Sequence, residues 1–205
     1  MQETTGLRER KKLARRRRIE DVAIELFEQQ GFEATTIEQI AAAADIAPRT
    51  FFSYFDTKDD VVLADYADRL GRILDELDQR PPDEPVWRAL RGSFASVASD
   101  YVTEADRLAQ RFRIMAATPS VQARSLQLQA GWERALAAHL AVRMAADPSD
   151  PTPQLVAATA LAVMRASLQH WLAVHRATEL PTLVQAGFDR LGTGLATIGR
   201  EPDRA

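Results

Sequence analysis

Apolar residues recur along this 205-residue chain at the three- and four-residue spacing of a helix face. Near the amino end, Ile19, Val22, Ala23, Leu26 and Phe27 form one such stripe. No stretch of useful length alternates apolar and polar residues as a half-buried strand does. Further helical stretches cover about residues 58–77, 87–101, 106–117, 121–146, 153–177 and 181–198. The pattern predicts an all-α fold.

The amino-acid composition excludes several classes of protein. Cysteine is absent, which excludes disulfide frameworks, thiolate metal sites and cysteine nucleophiles. The formal net charge of -3 argues against a surface that coats nucleic acid or membrane everywhere, so an anionic partner has to meet a local patch. No apolar run approaches the roughly 20 residues that cross a bilayer, and the start of the chain does not look like a signal peptide. We expect a cytoplasmic protein.

Local signals divide the first 60 residues into short helices. Gly31 can end the first helix, and Thr36 with Gln39 has the spacing of a capping box at the start of a second. Pro48 can occupy the first turn of a third helix, where its missing N–H costs nothing. The turn at 45–47 between the second and third helices gives the dimensions of a helix-turn-helix, in which the second of the two helices enters the DNA major groove.

The segment 36–61, TIEQIAAAADIAPRTFFSYFDTKDDV, closely resembles the amino-terminal signature of TetR-family transcriptional regulators. The motif resemblance covers about residues 15–63. It implies a DNA-binding domain with a basic arm at 1–57 and a ligand-binding and dimerisation domain at 58–205.

Two residues depart from the family pattern. Asp45 stands where the family usually has a turn glycine, and aspartate tolerates the left-handed conformation at modest cost. Phe52 stands where a tyrosine often contacts phosphate, and without a hydroxyl it is expected in the core. Phe51 and Phe55 are also predicted core residues that close the three-helix unit.

The resemblance also implies a division of labour among DNA contacts. Arg49 has the fork geometry to read a guanine, although a phosphate contact or a solvated position would also suit it. The residues expected at base edges are Ala47, Pro48 and Arg49, and those expected to hold phosphates are Thr36, Thr50, Tyr54 and Lys58.

Eight of the 26 cationic residues lie between Arg8 and Arg18, while only Glu3 and Glu9 oppose them in residues 1–19. Such a run can be a solvated helix face, a disordered tail, or an arm that follows phosphates or enters a minor groove. Its place directly before the helix-turn-helix favours the arm, with Arg15 and Arg16 as predicted DNA contacts.

Two heptad-like stripes mark the carboxy-terminal helices, as an antiparallel pair presents to a partner pair in a four-helix bundle. An intramolecular core explains the stripes equally well, and the resemblance favours a homodimer through the last two long helices. The stripes are Ala157, Leu161, Met164, Leu168, Trp171 and His175, then Val184, Phe188, Leu191, Leu195 and Ile198.

The middle helices combine apolar rings with arginines, which suits an amphipathic ligand with an anionic head or a filled core with solvated arginines. The predicted lining is Phe94, Tyr101, Phe112, Met115, Trp132, Leu136, Met164, Leu168 and Trp171, near Arg111, Arg113, Arg124 and Arg134. The run from Arg49 to Phe55 and the helix with Trp171 resemble the mycofactocin-regulator branch of the family, which implies an acyl-CoA-like effector.

Together these features predict a ligand-responsive, sequence-specific DNA-binding regulator, a repressor released from a palindromic operator by a small amphipathic effector. A nucleoid or scaffold protein without an effector is the first alternative. A helical enzyme using His139, His170 or His175 as a base is the second, but no histidine has a carboxylate or nucleophile at a recognisable motif spacing. We expect no enzymatic activity, no cofactor and no metal site.

Overall fold

The computed structural model describes residues 2–174 and 178–194, and within these ranges it contains helices and no strands. The all-α prediction is confirmed. None of the helices in the described ranges has the length and hydropathy to cross a bilayer. The helices are α1 (Gln2–Gln30), α2 (Ile37–Ala43), α3 (Pro48–Phe51), α4 (Lys58–Val62), α5 (Asp65–Asp78), α6 (Val86–Thr103), α7 (Ala105–Ala117), α8 (Pro119–Arg143), α9 (Thr152–Ala173) and α10 (Leu180–Gly192).

The chain forms two compact units that are not contiguous in sequence. Unit 1 comprises Met1–Tyr66 and Asp106–Leu128, and unit 2 comprises Ala67–Ala105 and Gln129–Ala205. Helices α5 and α8 therefore each begin in unit 1 and end in unit 2.

The predicted helix ends in unit 1 are confirmed. Gly31 has φ +88° and its N–H donates to Phe27 O at 3.0 Å, as a left-handed helix cap does. Thr36 and Gln39 form the capping box, with Gln39 N donating to Thr36 Oγ1 at 3.2 Å and Thr36 N donating to Gln39 Oε1 at 2.9 Å. Asp45 has φ 54°, so it adopts the left-handed turn predicted for it.

Helix α1 begins far earlier than the apolar stripe from Ile19 predicts. The basic run between Arg8 and Arg18 is helical, which overturns the disordered-tail alternative. The cationic side chains are therefore distributed around a helix with one residue every 100°.

The single helix predicted from about residue 58 to 77 is divided into α4 and α5. Thr57 and Asp60 form the predicted capping box at the start of α4, but α4 ends after Val62. Arg111 Nη1 donates to the carbonyls of Val61 and Val62 at 2.7 and 3.0 Å. These guanidinium N–H groups satisfy carbonyls that the next helical turn would otherwise satisfy, so the break is stabilised by a residue 50 positions away.

The core of unit 1 joins α1–α4 to α7 and α8. Phe51 is fully buried and Phe55 nearly so, as predicted. The prediction for Phe52 is wrong, because its side chain is 54% exposed. Phe51 and Phe55 occupy the inner face of this segment, and Phe52 turns outward. Ile114 and Val121, from α7 and α8, complete the same buried cluster.

In unit 2, α10 packs against α6 and α9. The Phe188 ring centroid lies 4.7 Å from that of Trp87 and 5.5 Å from that of Phe94. Trp87 Nε1 also donates to Phe188 O at 2.9 Å. A Cβ atom on Gly187 would lie 2.7 Å from Val163 Cγ1, so glycine permits the close approach of α9 and α10.

This packing corrects the interpretation of the two stripes. Six of the stripe residues in the described ranges are already buried within a single chain. They therefore belong to the intramolecular core, which was the alternative to a dimer face. Leu161 and Leu191 are half-buried. Three stripe residues, His175, Leu195 and Ile198, fall outside the described residues. The buried members are Ala157, Met164, Leu168, Trp171, Val184 and Phe188.

Candidate nucleic-acid interface

The start of α3 forms an exposed edge. Ala47 is the N-cap, with φ -71° and ψ 145°, and Pro48 is the first helical residue. Ala47, Pro48 and Arg49 are all exposed. Within residues 2–174 and 178–194, Arg49 makes no hydrogen bond or ion pair, so its five N–H donors face solvent.

A groove of ≈ 690 Å³ lies between α1 and the segment after α3. The α1 side has the i, i+3, i+4, i+7 spacing of one helix face. Its cationic side chains are exposed, so they concentrate positive potential beside α3. The lining residues are Arg8, Glu9, Lys11, Lys12 and Arg15 from α1, with Ser53 and Tyr54 on the other side.

The four consecutive arginines of α1, residues 15–18, differ in whether their side chains face solvent or bind the protein itself. Arg15 and Arg17 are exposed. Arg16 Nη2 donates to Ala64 O at 2.9 Å, its Nε lies 3.3 Å from Glu20 Oε1, and its guanidinium lies over the Phe55 ring. The structure thus turns Arg16, a predicted DNA contact, toward the interior of unit 1.

Arg18 also binds the protein itself, since its Nη2 donates to Ala43 O at 3.2 Å at the end of α2. A cation at this position complements the negative end of the helix dipole.

Lys58 is placed differently from its predicted role as a phosphate contact. Its Nζ donates to the carbonyls of Phe32 at 2.7 Å and Thr35 at 3.2 Å, with Glu33 O at 3.5 Å. It also lies 4.4 Å from the centroid of the Phe32 ring. An ammonium has three donors, and the loop between α1 and α2 occupies them.

The remaining predicted phosphate contacts are hydroxyl residues. Thr36 is exposed and its oxygen accepts the capping hydrogen bond, which leaves the O–H able to donate elsewhere. Thr50 is half-buried. Tyr54 packs against the core of unit 1 and lines the groove.

A buried carboxylate ties α7 to α1. Glu20 is 5% exposed, and its Oε2 accepts from Arg111 Nη2 at 2.9 Å and lies 3.7 Å from Arg107 Nη2. Because Arg111 also donates to the end of α4, one guanidinium connects α1, α4 and α7. Sequence reasoning missed this group, since nothing local marks a glutamate beside an apolar stripe as a partner of a distant arginine.

Three of the four arginines expected near an anionic ligand head have carboxylate partners within unit 1. Arg113 Nη2 donates to Glu28 Oε1 at 2.7 Å, and Arg124 Nε donates to Asp60 Oδ1 at 2.9 Å. With Arg111, these cations are neutralised by carboxylates of unit 1. Arg134 remains exposed on α8.

The predicted ligand lining is divided between the two units. Phe112 and Met115 belong to unit 1, where Met115 packs against the buried cluster. Trp132 is half-buried in unit 2. The other members are buried residues of unit 2: Phe94, Tyr101, Leu136, Met164, Leu168 and Trp171.

Two family models match the chain. The model for "Bacterial regulatory proteins, tetR family" matches residues 19–64, which contain α2, α3 and α4. The model for "MftR C-terminal domain" matches residues 84–196. The matches include the exposed edge of α3 and most of unit 2.

Curated relatives match nearly the whole chain. The mycofactocin biosynthesis transcriptional regulator MftR of Mycobacterium tuberculosis is 34% identical over 182 residues, which cover 89% of this chain and 91% of that protein. The HTH-type transcriptional regulator TcmR of Streptomyces glaucescens is 34% identical over 208 residues, which cover 96% and 91%.

Among solved structures, the chain is similar to Thermus thermophilus FadR, a TetR-family transcriptional repressor in complex with lauroyl-CoA. The TM-score is 0.58 at 25% identity, and the match covers 93% of this chain and 98% of that one.

Proposed function

The chain belongs to the TetR family of bacterial regulatory proteins, and from this premise we propose that it is a cytoplasmic repressor that binds a palindromic operator as a homodimer. An acyl-CoA-like effector bound in unit 2 releases it from DNA. The observation that carries the DNA-binding part is the exposed edge of α3, where Arg49 lies unpartnered in the described part of the chain.

Two kinds of contact support sequence-specific binding. Ala47, Pro48 and Arg49 reach base edges, and the groove beside them supplies cations for phosphates, which position the protein without reading sequence. Arg15, Thr36, Thr50 and Tyr54 hold phosphates in this proposal. Arg16 and Lys58 act indirectly, because their hydrogen bonds to backbone carbonyls fix the elements around α3.

A homodimer follows from the family and from the outer faces of the last two long helices. Ala158, Leu161 and Ala162 on α9, with Leu183 and Leu191 on α10, are half-buried in the single chain and available to a second copy. Two recognition helices in a dimer then contact half-sites about 34 to 36 Å apart, or a multiple of that distance.

The fold supports coupling between effector and DNA. Helices α5 and α8 run from unit 1 into unit 2, and Arg111 and Arg124 tie α7 and α8 to the helices that carry the DNA contacts. An effector releases DNA only if it prefers the released form. An effector that binds the DNA-free form 100-fold more tightly than the DNA-bound form contributes about 2.7 kcal/mol of coupling free energy. This is enough to release the protein from an operator that it occupies at moderate excess. Lauroyl-CoA in the FadR relative supports an acyl-CoA-like ligand.

The DNA-binding part is tested with the full chain. Preferred duplexes are selected from a random library, and affinity is compared with scrambled duplexes at several salt concentrations. Arg49→Ala relaxes discrimination at one base pair by about 1 to 3 kcal/mol, whereas Arg15→Ala weakens binding to all duplexes and lowers the salt slope by about one phosphate. Arg134→Ala, at an exposed arginine of unit 2, is the control with no effect. Absence of any selected duplex contradicts the proposal, and equal losses on selected and random DNA assign Arg49 to the backbone.

The effector part is tested by titrating lauroyl-CoA into a preformed protein–DNA complex, with coenzyme A and laurate as controls. Release by the acyl-CoA alone is expected, and Trp132→Ala should shift the required concentration. If acyl-CoAs of all chain lengths leave the complex intact, the effector assignment fails while DNA binding stands.

A further inference from the structure

Phe52 is an exposed aromatic ring on the helix-turn-helix. Its side chain is 54% exposed, and it follows α3 with helical dihedral angles, φ -66° and ψ -9°. The ring stands at 85° to that of buried Phe51, with 5.6 Å between centroids, so the neighbouring core residue supports its orientation.

The position of Phe52 relative to Arg49 is more informative than exposure alone, because single exposed apolar residues are common. Residues three and four apart lie on one helix face, so Phe52 shares a face with Arg49 and Pro48. All three side chains are exposed. The edge that carries the unpartnered guanidinium therefore also carries an apolar ring.

The chemistry of the ring limits its partners on DNA. A phenyl group has no donor or acceptor, so it cannot hydrogen-bond a phosphate or a polar base edge. In the major groove, the apolar group that a base pair presents is the C5-methyl group of thymine. Side chains at i and i+3 are about 5 to 6 Å apart at Cβ, which corresponds to one or two base-pair steps of about 3.4 Å.

We propose that Phe52 is a specificity-determining residue that packs against a thymine methyl group, one or two base pairs from the base contacted by Arg49. The inference rests on the proposed DNA binding by α3 and adds a preference at a second position of each half-site.

The test uses the full chain and the duplex selected above. Each thymine is replaced singly by deoxyuridine, which removes the methyl group and keeps the hydrogen-bonding pattern. One position per half-site should lower wild-type affinity about fourfold, equivalent to about 0.8 kcal/mol for one buried methyl-sized group, and about 15-fold when both half-sites are changed. Phe52→Ala should bind the thymine and deoxyuridine duplexes equally, while Phe52→Tyr, which keeps the ring, should retain the difference.

Several outcomes overturn the inference. If no thymine responds to deoxyuridine, no methyl group is read. If Phe52→Ala retains the full thymine preference, another residue reads the methyl group. A Phe52→Ala loss that is equal on every duplex indicates packing against the sugar–phosphate backbone. Failure to select any duplex overturns the proposed function as well, so the two failures are distinguishable. Thermal unfolding of each variant checks the fold, and an exposed side chain should change it little.

Discussion

In unit 1, arginine–carboxylate pairs, one of them buried, join α7 and α8 to the other helices beside a shared apolar cluster. In unit 2, α6 and α10 are joined by an aromatic cluster and one exposed ion pair. In unit 1, the pairs range from a buried one at Glu20 to an exposed one at Glu28. In unit 2, Phe188 lies against Trp87 and Phe94, and α9 closes over Gly187.

The two junctions respond to different perturbations. Ion pairs are directional, and their contribution depends on burial and on whether each charge keeps a partner. Apolar packing has no preferred partner but is sensitive to volume. A junction with discrete partners can adopt a second arrangement, which a two-state switch requires. Under the proposed function, we therefore expect the junction in unit 1 to carry the signal from an effector to α3.

The largest loss of stability is expected for a substitution in the aromatic cluster of unit 2. Phe188→Ala removes a fully buried ring that contacts two other aromatics, so it should lower the free energy of unfolding by about 3 to 5 kcal/mol. Chemical denaturation of the full chain measures the loss. Leu155→Ala is the control, since that side chain is 67% exposed and should change stability by less than about 0.5 kcal/mol. Similar losses for both variants would contradict the packing described for unit 2.

A matched pair of substitutions on α1 tests how burial sets the value of a charge pair. Glu20→Gln removes the carboxylate charge that the buried guanidinium of Arg111 faces at 2.9 Å and should cost about 3 kcal/mol. Glu28→Gln removes the partner of Arg113, whose side chain is 65% exposed, and should cost less than about 1 kcal/mol. Denaturation midpoints give both values. Equal costs would mean that burial does not distinguish the two pairs.

Two glycine-to-alanine substitutions should change the stability of the protein in opposite directions. Gly187→Ala places a Cβ atom against Val163 and should destabilise unit 2 by about 1 to 3 kcal/mol through overpacking. Gly71, inside α5, has nothing within 4 Å of an added Cβ. Gly71→Ala should therefore stabilise the protein by up to about 1 kcal/mol. Thermal unfolding reports both, and a destabilising Gly71→Ala would show that this face of α5 is covered.

The smallest effect is expected at the exposed pair between α6 and α10. Arg91 donates to both carboxylate oxygens of Asp189, at 2.7 and 2.9 Å, and this hydrogen bonding lowers the pKa of Asp189. A carboxyl group with a lowered folded-state pKa contributes stability above its unfolded pKa and loses that contribution as pH falls through the lowered value.

Asp189→Asn should therefore lower the Tm slightly at neutral pH, and the difference from the wild type should disappear in acid. Asp83→Asn, at an exposed loop position, is the control that removes one carboxylate and leaves the pair of Arg91 and Asp189 intact. A deficit that stays constant down to acid pH would show that the ion pair does not cause it.

Sequence signals succeeded where the interaction is local. Gly31, the Thr36–Gln39 box and the left-handed Asp45 depend on neighbours within a few residues, so the sequence contains the whole cause. The break between α4 and α5 was missed because its stabilising donors come from Arg111 and Arg16, which are distant in sequence.

The candidate site shows the same limit. The family resemblance identified Arg49, and the clustering of cations before the helix-turn-helix identified the basic run of α1. Neither could show that Lys58 is held by the carbonyls of the α1–α2 loop. The sequence also could not show which of Phe51 and Phe52 faces solvent, because both are phenylalanines and are equally suited to the core. The orientation was decided by the packing of Phe51 and Phe55.

The discontinuity of unit 1 has a consequence for biosynthesis. Residues 1–66 leave the ribosome first, but Ile114 and Val121, which complete their core, are translated later. At about 5 to 20 residues per second, the segment 67–105 takes seconds to translate while that core stays open. The buried cluster beneath the helix-turn-helix therefore becomes complete only after Ile114 and Val121 have emerged, and a ribosome stalled in α6 holds a chain that lacks these two residues of the cluster.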